Sequence, residues 1–168
     1  KEIAPRPRAT FDHHFALLHL DRKLAAAGVT TEFHAIDFAD RDDAVRNVAY
    51  AGVLARAVAD LRDAPHAAVD NQVLHRIDLR SPAALDPLLD ALTATRLPFV
   101  SLNDHVPGRG QFNDLAAYRA YVRSFISGTP TEEAVDAVVA ERLRHAAETE
   151  EAATAMIGRL AVEARERG

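Results

Sequence analysis

The sequence predicts an α/β fold in which helices alternate with short parallel strands. Three segments are predicted to be strands, at 29–38, 72–79 and 97–105, and longer helix-forming stretches separate them; the first is rich in β-branched and aromatic residues. Alternation of this kind is typical of parallel sheets that are covered by helices. Three strands are too few to close a barrel, which typically needs about 250 residues. We therefore expect either a small open sheet or a piece of a larger protein.

Five helical stretches are expected around these strands, at 12–27, 41–63, 82–94, 113–127 and 131–167. Ser81 followed by Pro82 is a typical N-cap and first-turn pair, and it predicts the start of the third helix. The last stretch is long enough for two helices, and we expect a break or kink near Thr149 or Gly158.

Composition and charge narrow the class of protein. Of the 168 residues, 48% are hydrophobic and 27% are charged, so we expect residues 1–168 to form a single α/β unit. The 20 Lys and Arg residues against 25 Asp and Glu residues leave a net charge of -5, which argues against binding nucleic acid through a basic face. No apolar run approaches the ~18 residues that span a membrane, and the N-terminus does not resemble a signal peptide. We expect a cytoplasmic protein, and homo-oligomerisation is left open.

The residues available as metal ligands are also limited. Cysteine is absent, which excludes disulfides and thiolate metal sites. Any metal ion must then be held by His, Asp or Glu, a donor set that suits zinc, manganese or iron. On the first strand His34 shares a face with Ile36 and Phe38, and this pattern leaves open whether it is a core histidine or a ligand.

The third strand carries the clearest sign of a functional site. Val100 and Leu102 fall on one face and are expected to pack against a helix, while Ser101, Asn103 and His105 share the other face. Buried polar groups need partners, and a site at the carboxyl end of the strand would supply them. A strand that ends on a histidine is typical of metal-dependent barrel enzymes. An edge strand whose polar face meets water explains the same pattern.

The second strand shows a similar alternation. Leu74, Arg76 and Asp78 share one face, and His75 lies on the opposite face, toward the helices. We therefore interpret His75 as a structural residue. Arg76 and Asp78 could bind an anion and a metal ion respectively, or they could neutralise each other as an ion pair.

A polar loop follows His105. It contains a Pro107-Gly108 turn and then Arg109, Gly110 and Gln111. Glycines allow backbone N–H groups to approach an anion closely, and arginine offers a two-pronged donor for phosphate. Directly after a candidate ligand, this loop indicates a binding site for an anionic group.

Several segments together resemble one enzyme family. They are SLNDHVPGRGQF at 101–112, PRPR at 5–8, LAAAGVTT at 24–31 and RIDL at 76–79. They resemble the phosphonate-metabolism protein family PhnM, the alpha-D-ribose 1-methylphosphonate 5-triphosphate diphosphatases of the amidohydrolase superfamily. The corresponding family pattern is SLxDHxPGQxQF, preceded by a strand reading HLRxE. The resemblance extends over nearly the whole chain and implies the central part of a (β/α)8 TIM-type barrel.

The resemblance implies a metal-dependent hydrolase whose substrate is a phosphorylated small molecule. In this family water is activated to release diphosphate from a ribosyl triphosphate, and the cofactor would be a divalent metal, with zinc preferred and manganese or iron as alternatives. His105 and Asp78 would be the catalytic residues and metal ligands. Arg76, Arg109 and Gln111 would face the substrate phosphates, and Asp104 would orient the loop or its neighbouring histidine.

The sequence also departs from the family pattern. Leu74 stands where the family has a histidine, Asp78 replaces a glutamate, and Arg109-Gly110 changes the usual loop. The family's HTD and SHDD metal motifs are expected outside residues 1–168, so we expect that this chain alone cannot assemble the full metal site. A related amidohydrolase that acts on an amide or lactone, or a non-catalytic α/β module, is the alternative.

Overall fold

The structure is a computed structural model that describes residue 3 and residues 10–40, 47–109, 112–126 and 128–167. In chain order its elements are α1 (His13–Ala26), β1 (Thr31–Phe38), α2 (Val48–Arg62), β2 (Asp70–Asp78), a 3-10 turn (Pro82–Ala84), α3 (Leu85–Leu92), β3 (Phe99–Asn103), α4 (Leu115–Phe125), α5 (Glu132–Glu148) and α6 (Glu150–Arg167). The strands form a parallel sheet in the order β1-β2-β3. The predicted α/β alternation is therefore confirmed.

The chain divides into two compact units. The first unit consists of Lys1–Ile77 and Ala83–Leu102, and the second unit consists of Asp78–Pro82 and Asn103–Gly168. Among the described residues, no helix combines the length and the apolar character that crossing a membrane requires.

The third strand is shorter than predicted. We expected residues 97–105, but β3 spans Phe99–Asn103, so His105 lies beyond the strand rather than on it. The physical reason is local, because the Asp104 side chain accepts a hydrogen bond from the Val106 N–H and turns the backbone there. Leu102, expected to pack against a helix, is 46% exposed, so the expected apolar face of this strand is wrong at that position.

Two helix predictions also need correction or refinement. The third helix does not begin at Ser81-Pro82, because a 3-10 turn covers Pro82–Ala84 and α3 follows without a side-chain cap. The predicted start of the second helix falls on residues 41–46, outside the described residues, and α2 begins at Val48 after its cap Asn47. The long C-terminal stretch breaks at Thr149, one of the two places expected.

The core of the first unit lies between one face of the sheet and the helices. β1 contributes Phe38 and β2 contributes Ile77, and both are fully buried together with Val58 of α2 and Leu88 of α3. Covering one face of a parallel sheet with helices removes its apolar side chains from water, which is the main stabilising term of such folds.

The second unit has its own core between α4 and α5. Five side chains form it, namely Phe112, Tyr118, Val122, Val135 and Val139. On the surface, Arg119 and Arg123 of α4 pair with Glu132 at the start of α5. Exposed ion pairs contribute little, typically about 0.2 to 1 kcal/mol each, so the apolar contacts dominate the packing of these helices.

A buried carboxylate organises the beginning of β2. Asp21 of α1 is fully buried and accepts hydrogen bonds from the backbone N–H groups of Ala68 and Val69 and from the side-chain amide of Asn71. Burial opposes ionisation most strongly, but these donors and the neighbouring Arg22 together lower the pKa of Asp21. The carboxylate thus links α1 to the segment that leads into the central strand.

Replacing Asp21 is therefore expected to destabilise the protein. Asp21→Ala removes the acceptor of two backbone N–H groups, the Asn71 amide and the Arg22 guanidinium. It should lower the free energy of unfolding by about 2 to 4 kcal/mol, measured by urea denaturation. Asp60→Ala removes an exposed carboxylate of α2 and should change the free energy of unfolding by less than about 0.5 kcal/mol. If Asp21→Ala lowers the free energy of unfolding no more than Asp60→Ala does, Asp21 does not have this structural role.

His75 connects β2 to β3 in the core. Its side chain is fully buried, Nδ1 donates to the Phe99 carbonyl oxygen (3.2 Å), and Nε2 lies 3.3 Å from the Thr95 hydroxyl. Burial lowers the pKa of His75 below its ordinary 6.5, and the hydrogen bond to Phe99 offsets this only in part. The interpretation of His75 as a structural residue is confirmed.

This lowered pKa makes the stability depend on pH. Below about pH 6.5 the unfolded chain protonates this imidazole more readily than the folded protein does. The free energy of unfolding should therefore fall as the pH drops from 7.5 to 5.5, measured by urea denaturation. His75→Asn should flatten this slope, whereas His19→Asn, at an exposed position, should not. An unchanged slope in His75→Asn would rule out the buried imidazole as the cause.

Candidate functional site

The second strand separates buried from accessible side chains as predicted. Its buried positions include His75 and Ile77, while Leu74, Arg76 and Asp78 are partly exposed. Arg76 belongs to the first unit, and Asp78 belongs to the second unit. The Asp78 carboxylate accepts a hydrogen bond from the Arg80 backbone N–H (2.9 Å) and caps the turn that ends the strand.

Asp78 is the last residue of β2, and His105 lies two residues beyond the end of β3; both belong to the second unit. The Leu79 N–H donates to the Asn103 carbonyl oxygen (3.0 Å), so the ends of β2 and β3 run side by side. His105 follows two residues later and is exposed to solvent. The imidazole is therefore accessible to a ligand.

His34 is not such a residue. It is 7% exposed, and its Nε2 lies 2.8 Å from the side-chain oxygen of Asn71. The Asn71 amide nitrogen donates to Asp21 and to the Val69 carbonyl, so the amide oxygen is left as the acceptor for the His34 N–H. His34 is a core histidine at the amino end of the sheet, and its candidacy as a metal ligand is not supported.

Four charged side chains of the second unit form a ring of alternating sign, which we call the charge ring: Arg80, Asp104, Arg109 and Glu150. Arg80 donates to Asp104 (2.7 Å) and to Glu150 (3.0 Å), while Arg109 approaches Glu150 (2.9 Å) and Asp104 (3.8 Å). Each arginine thus has both carboxylates as neighbours. The four formal charges cancel.

The two arginines of the charge ring differ in burial. The Arg80 side chain is 8% exposed, whereas that of Arg109 is 53% exposed. Arg80 also donates to the Ala146 carbonyl oxygen (3.0 Å) at the end of α5. Arg80 is therefore held on all sides, and Arg109 has one face open to solvent.

The acidic members of the charge ring are held in their ionised forms. Burial acts most strongly on Asp104 and opposes its ionisation, but Arg80, the Val106 N–H and Arg109 together lower its pKa. At Glu150, hydrogen bonds from Arg109 and then Arg80 lower the pKa. The charge on Arg80 is favoured in turn, because its hydrogen bonds to Asp104 raise its pKa.

The loop after β3 is held at two points. Asp104 at its start joins the charge ring, and Gly108 has a positive φ of 83°, a left-handed conformation that suits a residue without a side chain. The Arg109 N–H donates to the Val106 carbonyl oxygen (3.2 Å), which closes a turn. Gly110 and Gln111, the latter predicted to bind substrate, lie outside the described residues.

The donor types near the ends of β2 and β3 suit a divalent metal ion. A carboxylate at Asp78 and an imidazole at His105 are ligands that zinc, manganese and iron accept. Across the described parts of the chain, however, no three His, Asp or Glu side chains come together as a metal-binding group. Asp78 and His105 therefore suit a divalent metal ion as two of its ligands, and further ligands are needed to complete the site.

Two members of the charge ring, Arg80 and Glu150, were not predicted from the sequence. Arg80 follows the RIDL segment directly, and a charged residue right after a buried strand is a signal that could have drawn attention to it. Glu150 carries no such signal, because it lies in a helix rich in charged residues, 41 positions from Arg109. Asp104 was expected to orient the loop, and its hydrogen bond to Val106 agrees with that expectation.

Comparison with known proteins gives one distant relative. The chain is 29% identical over 136 residues to the alpha-D-ribose 1-methylphosphonate 5-triphosphate diphosphatase of Escherichia coli (strain K12). The alignment covers 77% of this chain and 34% of that enzyme. The chain therefore spans about a third of the length of that enzyme. No protein-family model matches the chain, and no solved structure matches it.

These findings support a distant relationship to that phosphonate-metabolism enzyme. The parallel sheet that alternates with helices is compatible with part of a TIM barrel, although the described strands do not close one. The predicted resemblance is thus confirmed at a coarse level.

The accessibility of the histidines can be tested by acylation with diethyl pyrocarbonate, followed by mass spectrometry. His105 should react as fast as His145, which is exposed on α5. His34 and His75 should react more than about tenfold slower, because reagent reaches them only after local opening. Protection of His105 to the level of His75 would contradict its placement.

Proposed function

We propose that this chain is the central part of a metal-dependent hydrolase that releases diphosphate from a phosphorylated small molecule. The observation that carries the proposal is the pairing of the ends of β2 and β3, which brings the backbone segments of Asp78 and His105 to one edge. Carboxyl ends of parallel strands are where α/β enzymes build their sites. The distant relationship to a diphosphatase supports the same conclusion.

In this proposal Asp78 and His105 hold a divalent metal ion, with zinc preferred and manganese or iron as alternatives. Such an ion, when bound, lowers the pKa of a coordinated water and polarises a phosphoryl oxygen. The remaining ligands come from outside the described residues, because the described ones do not supply a third. The Arg80 N–H fixes the Asp78 carboxylate through its hydrogen bond of 2.9 Å.

The substrate-binding residues in this proposal are Arg76, Arg109 and Gln111. Arg109 is suited to this because its guanidinium is half exposed and contacts Glu150 at the surface. An exposed ion pair is worth about 0.2 to 1 kcal/mol, so a phosphate can compete for the guanidinium. A two-pronged hydrogen bond from arginine to phosphate is the stronger interaction.

The reaction can be tested with the intact natural protein. After removal of metal by a chelator and reloading with zinc, manganese or iron, it should release diphosphate from a ribosyl 5-triphosphate. Hydrolysis of amides or lactones instead would favour a related hydrolase with another substrate. A folded, metal-loaded protein without activity on any of these would favour a non-catalytic module.

The role of His105 gives a sharper test. In the intact protein, His105→Ala should lower diphosphate release and zinc affinity by at least 10-fold to 100-fold, because a direct ligand is lost. Zinc affinity is measured by competition with a chromophoric chelator. His145→Ala removes an exposed histidine of the same unit and should leave both quantities unchanged. Full zinc binding by His105→Ala would exclude it as a ligand.

A further inference from the structure

The Arg80 side chain is buried and has no role in the proposed chemistry, in which only the Arg80 backbone N–H takes part, through its hydrogen bond to Asp78. Its side chain is 8% exposed, yet all three guanidinium nitrogens have acceptors. Nε and one terminal nitrogen donate to the two oxygens of Asp104, at 3.1 and 2.7 Å. The other terminal nitrogen donates to the Ala146 carbonyl and to Glu150, both at 3.0 Å. A buried cation persists when its donors are satisfied in this way.

The acceptors of Arg80 control both ends of one loop. Asp104 begins the loop and also binds the Val106 N–H, so the backbone around His105 is held from the Asp104 side. At the other end Arg109 pairs with Glu150, the second carboxylate that Arg80 binds. His105 lies between these attachment points and is itself exposed.

We propose that Arg80 is a positioning residue that holds the loop 104–109, and with it His105 and Arg109, through Asp104 and Glu150. The proposal rests on the proposed function, in which His105 binds the metal and Arg109 binds the substrate. In that scheme the Arg80 side chain contacts neither the metal ion nor the substrate. It acts by keeping the two carboxylates in fixed places.

The geometry of the guanidinium matters as much as its charge. Arg80 binds both oxygens of Asp104 while it also reaches Ala146 and Glu150. A lysine provides the same charge as a single point and cannot make the parallel pair of hydrogen bonds. Arg80→Lys therefore separates the positioning function from simple neutralisation of Asp104.

The first measurement is amide hydrogen exchange in the intact protein at the Val106 and Arg109 N–H groups. Arg80→Met and Arg80→Lys should each accelerate exchange at these two amides at least tenfold. The Tyr118 amide within α4 serves as an internal reference that should not change. Arg144→Met is the matched control, because Arg144 also bridges two carboxylates but on the outside of α5.

The proposal would be overturned if the Val106 and Arg109 amides exchange no faster in Arg80→Lys than in the Arg144→Met control. If Arg80→Met does not fold, Arg80→Lys and Asp104→Asn decide the question, because each weakens the same contact with little change in volume. Asp104→Asn should accelerate exchange at Arg109, and an unchanged rate there would also count against the proposal.

The second measurement is zinc affinity. Arg80→Lys should weaken zinc binding about tenfold, as expected when a partner behind a ligand is lost, while Arg144→Met should bind zinc like the wild type. If the wild-type protein binds no zinc, the proposed function fails, and hydrogen exchange still decides whether Arg80 holds the loop. If the wild-type protein binds zinc and Arg80→Lys binds it with the same affinity, Arg80 does not position His105 for metal binding.

Discussion

Strand β2 has to bury one face completely while the other face stays partly exposed from Leu74 to Asp78, and the fold and the candidate site both depend on this constraint. Val73, His75 and Ile77 are buried, so Arg76 and Asp78 must point the opposite way. A register slip of one residue would bury the charged side chains of Arg76 and Asp78 and expose the apolar side chains. The desolvation cost of burying those charges holds β2 in its register.

The same constraint explains why the second strand could be predicted well. Alternation is a local property, so the structural role of His75 and the accessible face of Arg76 follow from neighbouring residues alone. The break at Thr149 is local in the same sense, because its hydroxyl donates to the His145 carbonyl oxygen one turn earlier (2.7 Å).

What could not be predicted depends on partners far apart in the chain. His34 is a core residue because its partner Asn71 lies 37 positions away, on the neighbouring strand. Arg80 reaches Asp104 and Glu150, which are 24 and 70 positions away. The end of β3 was misplaced because the Asp104 side chain accepts a hydrogen bond from the Val106 N–H, and this turn ends the strand although the alternation of apolar and polar side chains continues. Spacing along the sequence carries none of this information.

Charge balance bears on the proposed substrate. The charge ring is neutral, and the whole chain carries a net charge of -5, so an incoming polyphosphate meets no general attraction. Arg109 offers a half-exposed guanidinium to a phosphate, but Glu150 stays beside it, so the net attraction of this pair for a polyphosphate is small. Additional positive charge is therefore needed at the ends of β2 and β3. In the proposed function a divalent cation on Asp78 and His105 would supply it, so that the metal would serve substrate binding as well as chemistry.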